Sequence, residues 1–193
     1  VDVAESHEAV YRSLYDYMTE VVSQVPEGSG GVIFTPWLHG NRCPFEDPAA
    51  AGMFFGIRLE TGKSELIRAV LEGICYHLRW MLECEERKVK TSSVIRFVGG
   101  GALSPVTSQI LADITGRTIE VVESPQNVGA VGAAAVAAVG LGAIGDLDRV
   151  KDFIPVSGRF EPDPEKKKIY DKYFDIFKRL YQSNKKNYRR LSL

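Results

Sequence analysis

An α/β fold with a largely parallel core sheet is what this 193-residue sequence predicts, on three observations. Short β-branched runs alternate with longer segments of helical periodicity, the pattern of strand–helix–strand units. Three consecutive glycines, Gly99, Gly100 and Gly101, sit where an apolar strand pattern gives way to a helical one. The chain has no internal repeat and no low-complexity linker, and its length suits a single domain over residues 1–193 with a sizeable core.

The elements follow in order. Ala9, Val10, Leu14, Tyr17, Met18, Val21 and Val25 recur at helical spacing, so an amphipathic helix is expected over 5–25, broken by Pro26 to Gly31. Val32 to Trp37 reads as a buried strand ended by Pro36, and Leu38 to Phe55 as a long loop with a job or a fixed packing role. Lys63 to Lys88 carries the strongest helical stripe, through Leu66, Ala69, Val70, Gly73, Ile74, His77, Leu78 and Met81, with Thr61 placed to cap its start. A central strand runs into the glycines, and a helix from Val106 to Thr115 follows. Thr118 to Val122 is a further strand. Asn127 to Val139 is a helix of very small residues that can pack closely on a sheet, and Asp152 to Phe160 is a last extended segment. Pro164 to Asn187 closes the chain as a helix, apolar at Ile169, Tyr173, Phe177 and Leu180, with its lysine clusters on the solvated face.

Composition excludes several classes. A net charge of −1 lacks the basic excess of a nucleic-acid binder. The run Gly129 to Ile144 is too short and too rich in Ala and Gly to span a bilayer, so no membrane partner is expected. Cys43, Cys75 and Cys84 form no CxxC pair and leave an odd count, which reduced thiols in a cytoplasmic protein explain. No His/Cys/Asp/Glu set has metal-ligand spacing. His77 lies on the apolar stripe as a core histidine, and Arg42 and Asp47 are placed to hold the long loop as a buried ion pair. Asp113 is expected to make a structural hydrogen bond. The first residue is Val1, not Met, and processing or a cut from a longer chain would each explain it.

Function turns on the glycines. Ile95 to Ser104 reads as strand, Gly-rich turn and helix start, where a backbone without Cβ can approach a ligand and free N–H groups suit an anion. A plain tight connection would look the same. Gly62-Lys63-Ser64 resembles the tail of a phosphate-binding P-loop, but five residues separate it from Gly56 where the motif needs four. Gly99 to Ser104 approximates G-x-G-x-x-G, with Glu120 about twenty positions on, so a dinucleotide-binding oxidoreductase module is a competing reading. Against it, about ninety residues precede the glycines, and Pro105 removes one donor from the helix start.

Gly52 to Ile57, then seven residues, then Glu65 to Glu72, resembles the second signature of the FGGY carbohydrate kinases. Gly40 to Pro48 is similar to that family's preceding loop, and Val98 to Ala102 with Gln109, Ala112, Asp113 and Gly116 to its adenosine-contacting segment. Asn127 to Ala134 is similar to its small-residue helix, and the likeness, from Gly31 to Phe160, is closest to the xylulose kinases. The resemblance implies the C-terminal part of an actin-like, ribonuclease-H-like ATPase domain in a two-domain sugar kinase. It implies phosphoryl transfer from ATP·Mg²⁺ to a sugar, with D-xylulose to xylulose 5-phosphate favoured. The catalytic base and the Mg²⁺ site would lie on an N-terminal kinase domain outside this chain. ATP would be met by Gly99, Gly100 and Gly101, with Ala102, Ser104 and Pro105 beside the adenosine. An actin-like scaffold without catalysis, and association as a homodimer, stay open at this point.

Overall fold

A computed structural model describes residues 14–191. The first helix, α1, is described over Leu14–Ser23, and the part expected before residue 14 lies outside the described residues. The turn after it is unusual. Gly28, Ser29, Gly30 and Gly31 all have left-handed backbones, at φ of 81°, 50°, 61° and 97°. Ser29 tolerates this because its hydroxyl donates to Glu72 Oε2 at 2.8 Å and the residue is fully buried.

The expected loop over 38–55 needs correction at its end. Strand β1 (Ile33–Thr35) pairs antiparallel with β2 (Met53–Phe55), so the segment returns as a hairpin. Three-residue strands are too short to show alternation in the sequence. The connection is pinned: Asn41 and Asp47 exchange two backbone hydrogen bonds of 2.9 Å, and Phe45 stacks on Tyr181 at 3.6 Å. The ion pair expected between Arg42 and Asp47 does not form. Buried Asp47 instead accepts from Ala49 N–H at 3.0 Å and from Tyr181 O–H at 3.1 Å, while Arg42 stays exposed.

Helix α2 (Lys63–Glu86) starts at Gly62, not under a Thr61 cap. The Gly62 N–H donates to Glu65 Oε2, whereas the Thr61 hydroxyl accepts from Arg58 N–H outside the helix. The main sheet has the order β3-β4-β5, from Val94–Phe97, Thr118–Val122 and Val156–Phe160. Only the β3–β4 pair is parallel; β5 runs antiparallel to β4, which corrects the expectation of a largely parallel sheet. Helix α3 (Pro105–Thr115) covers one face and ends at Gly116 in the left-handed conformation, a common helix stop. Asp113, on that helix, accepts from Gln109 and from the Asp163 N–H, tying α3 to the start of the last helix as expected.

Helix α4 (Val128–Gly140) does not pack on the sheet as its small residues suggested; of its residues only Ala135 is buried, and Val131 and Val136 stand in solvent. Close packing needs a partner surface, and among the described residues α4 lies mainly against the short turns Pro125–Asn127 and Leu147–Phe153. Helix α5 (Pro164–Leu191) buries Tyr170, Phe174, Phe177, Leu180 and Tyr181 against α2 and α3. Its buried stripe is rotated one residue from the expected one at the start: Ile169 is 37% exposed and Tyr170 is fully covered. The tyrosine goes inside because its hydroxyl finds Arg68 and Glu72 there. Trp37, Tyr76 and Phe177 complete the core, with the Trp37 indole donating to His77 Nδ1 at 3.4 Å. Burial makes His77 harder to protonate, with the Cys43 backbone pulling weakly the other way.

Candidate functional site

Parallel strands send their C-terminal ends the same way, and ligands of open α/β sheets collect beyond those ends. Here β3 and β4 deliver two loops side by side, the glycine turn after Phe97 and the segment Ser124–Asn127. The Gly99 N–H donates to Pro125 O at 2.8 Å and joins them. This second loop escaped the sequence reading; Pro125 just past an apolar strand was the signal available for it.

Gly99 has φ 89° and ψ −174°, a conformation essentially restricted to glycine, so it makes the turn. A short 3₁₀ turn, Gly100–Leu103, intervenes between strand and helix. Its first internal bond runs from Ala102 N–H to Gly99 O, so the N–H groups of Gly100 and Gly101 lie ahead of it as free donors. A Cβ added at Gly99 or Gly100 would meet nothing within 4 Å, whereas one at Gly101 would press the Phe97 ring at 3.1 Å. The chain's own packing therefore gives no reason for glycine at position 100. Space in front of it is open to a ligand.

The other candidate residues divide. The Ala102 side chain is buried, which leaves its backbone for any contact. Ser104 is the N-cap of α3; its hydroxyl accepts from Thr107 N–H at 3.3 Å and lies 3.5 Å from Thr19 Oγ1. That role explains the residue locally and occupies one free donor of the first turn of α3, the Thr107 N–H. Pro105 is exposed at the first helical position and, with Ala102, Leu103, Val121, Pro125 and Phe160, lines an open recess of about 240 Å³. The glycine turn, Pro105 and an apolar-walled recess thus lie together, while Ser104 faces the helix.

Glu120, the acid that a dinucleotide module would turn to a ribose, is engaged elsewhere. It takes Arg159 at 2.9 Å and Arg96 at 3.6 Å across the outer face of the sheet. Glu161 beside it is held below the usual carboxylate range by the Thr118 hydroxyl first and Arg159 second. With β5 antiparallel as well, the arrangement lacks the third parallel strand of a dinucleotide fold. Among the described residues no group of three His, Cys, Asp or Glu side chains could hold a metal ion, and no helix is long and apolar enough to cross a membrane.

Comparison with known proteins agrees with the geometry. The model of the C-terminal domain of the FGGY family of carbohydrate kinases matches residues 4–141. A xylulose kinase of Staphylococcus epidermidis is 35% identical over 159 residues, covering 82% of this chain and 32% of that protein. A gluconokinase of Bacillus licheniformis is 32% identical over 182 residues, covering 92% of this chain and 35% of that protein. The solved xylulose kinase from Lactobacillus acidophilus superposes with a TM-score of 0.83 at 26% identity, over 98% of this chain and 39% of that one. The chain thus spans about a third of the length of these relatives. Nothing in these likenesses supports the oxidoreductase alternative. The α/β fold is that of the actin-like ATPase domain, and the chain belongs to the FGGY family of carbohydrate kinases, as its C-terminal domain.

Proposed function

We propose that this chain, as a single domain over residues 1–193, forms the nucleotide-side wall of an ATP-dependent sugar kinase whose second lobe lies in a longer polypeptide. The acceptor is D-xylulose and the product xylulose 5-phosphate. The observation that carries the proposal is the unfilled space over Gly99 and Gly100 beside two free backbone donors. ATP with Mg²⁺ supplies the phosphoryl group and part of the charge compensation, the ion being held mainly by the other lobe. The residues here bind and orient. The N–H groups of Gly100 and Gly101 donate to phosphate or ribose oxygens, and the Ala102 backbone and Pro105 ring border the adenosine. Ser104 fixes the start of α3 so that the turn keeps its shape. Positioning of this kind is most of what an enzyme contributes to phosphoryl transfer, and closure of the two lobes would exclude water as a competing acceptor.

Gly100→Val in the full-length enzyme is expected to raise the KM for ATP about tenfold, about 1.4 kcal/mol of lost binding, with the KM for sugar unchanged. The melting temperature should stay within about a degree, because a side chain there meets nothing of the protein. Equal effects on both substrates would remove Gly100 from the nucleotide site. Xylulose and gluconate compared in a coupled assay decide the acceptor, and turnover of gluconate alone would replace the pentulose. The isolated 193-residue chain should show no turnover of either sugar and weak or no ATP binding by calorimetry. Turnover by this polypeptide alone would overturn the division of labour.

A further inference from the structure

The recess beside the glycine turn is shaped to hold a flat ring without reading its edge. Its volume, about 240 Å³, suits one bicyclic base and is too small for a whole nucleotide. Six apolar residues wall it, and Ser157 and Gly158 of β5 complete the lining. One of the six, Leu103, is 61% exposed, an apolar surface that the described residues leave uncovered. The sheet is altered at the same place: Val121 pairs with Gly158 and Val122 with Val156, so Ser157 is the extra residue of a bulge. Its hydroxyl is the only polar side-chain group among the described residues lining the recess, and it donates to Val121 O at 3.2 Å. Backbone groups there are spent or missing. Pro105 and Pro125 have no N–H, the Pro125 carbonyl accepts from Gly99 N–H, and the Ala102 N–H donates to Gly99 O. Gln126 and Asn127, next along the chain, do not line the recess.

We propose that this recess takes the nucleotide base by its faces, so that the kinase accepts purine nucleoside triphosphates as a class, GTP and ITP as well as ATP. The inference rests on the reading of this chain as the nucleotide-side wall of a kinase. A pocket rejects an analogue strongly when it hydrogen-bonds the group that differs, and weakly when it offers only apolar contact. Adenine, guanine and hypoxanthine share one double ring and differ at the polar edge, for which these walls hold no free side-chain partner. The recess is open, so that edge keeps its water and no mismatched group is stranded. In the transfer itself, the bond from the γ-phosphorus to the β–γ bridging oxygen breaks and one to the sugar hydroxyl oxygen forms. The nucleoside diphosphate leaves, and the hydroxyl proton passes to a base on the other lobe. The nucleobase enters none of these bond changes, so its identity bears on binding alone.

The test uses the full-length enzyme. Calorimetry should give Kd values for ADP, GDP and IDP within about thirtyfold of one another, the range apolar contact leaves open. CDP, whose single ring covers less of the apolar wall, should bind about threefold or more weaker than any of the three. Leu103→Ala should weaken ADP and GDP by the same factor, about threefold, with the melting temperature unchanged to about a degree. A wider spread among the purines, CDP equal to them, no binding of any, or a Leu103→Ala variant that binds like the parent would each overturn the proposal. Phosphorylation separates it from the reading beneath it. Purine nucleotides bound as expected with no sugar phosphorylated sinks the kinase reading alone, and sugar phosphorylated from ATP with GTP rejected sinks this inference alone.

Discussion

Glu72→Ala is expected to lower the stability of the protein by about 3–5 kcal/mol, the range for breaking a buried ion pair by removing one member. Glu72 is 1% exposed and Arg68 7%, so solvent does not dilute the effect. The carboxylate accepts from Arg68 Nε at 2.8 Å, Ser29 Oγ at 2.8 Å, Gly28 N–H at 3.0 Å and Tyr170 O–H at 3.3 Å. Arg68 donates in turn to Val22 O and Tyr170, so one buried group joins α1, the left-handed turn, α2 and α5. Burial lifts the Glu72 carboxyl above the ordinary carboxylate range, and Arg68 pulls it back. Alanine removes the acceptor and leaves the guanidinium, two hydroxyls and an amide without it, all in a buried place. Denaturant titration should show the loss as a lower midpoint at unchanged slope. The double variant Arg68→Met with Glu72→Leu removes both charges and should recover most of it. A loss under about 1 kcal/mol for Glu72→Ala would mean that the group is not a stabilising junction.

None of that junction was legible in the sequence, although Glu72 lies inside the signature-like segment. Arg68 stands four residues away on the same helix, but the other partners are 43, 44 and 98 residues away along the chain, and only the fold brings them in. What the sequence does disclose is local. Helical periodicity places α2 and α5 to within a few residues, and β-branched runs place β3 and β4. The glycine turn was legible because φ of 89° at Gly99 excludes other residues, a constraint that leaves its mark on composition. The capping role of Ser104 was not, since a serine before a helix serves equally well as a cap or as a ligand contact, and only the structure shows its hydroxyl accepting from Thr107 N–H. Helix α4 misled for a different reason. Alanine and glycine indicate that a surface can come close, not which surface, and the nearby sheet is not the one.

Gly73→Ala should show how little intrinsic helix preference counts when backbones touch. In the interior of a helix alanine is favoured over glycine by about 1 kcal/mol, so α2 taken alone would be strengthened by the change. In the fold, an alanine Cβ would lie 2.2 Å from Phe34 O and 3.0 Å from Phe34 C. Those are backbone atoms of β1, fixed by pairing with β2, and they cannot swing aside as a side-chain tip would. The helix has to back away from the hairpin, opening the contacts of Val32, Phe34 and Ala69 and dragging Glu72 from its neighbours. A net loss of about 3 kcal/mol is expected, at the upper end of the overpacking range, after the propensity gain is offset. Gly132→Ala in α4 is the matched control, because its Cβ would meet nothing within 4 Å and only the propensity gain remains. Denaturation midpoints of the two variants should therefore move in opposite directions. If Gly73→Ala moved upward with Gly132→Ala, the close approach of α2 to β1 would be wrong, and with it the placement of the helix that carries Arg68 and Glu72 into their junction.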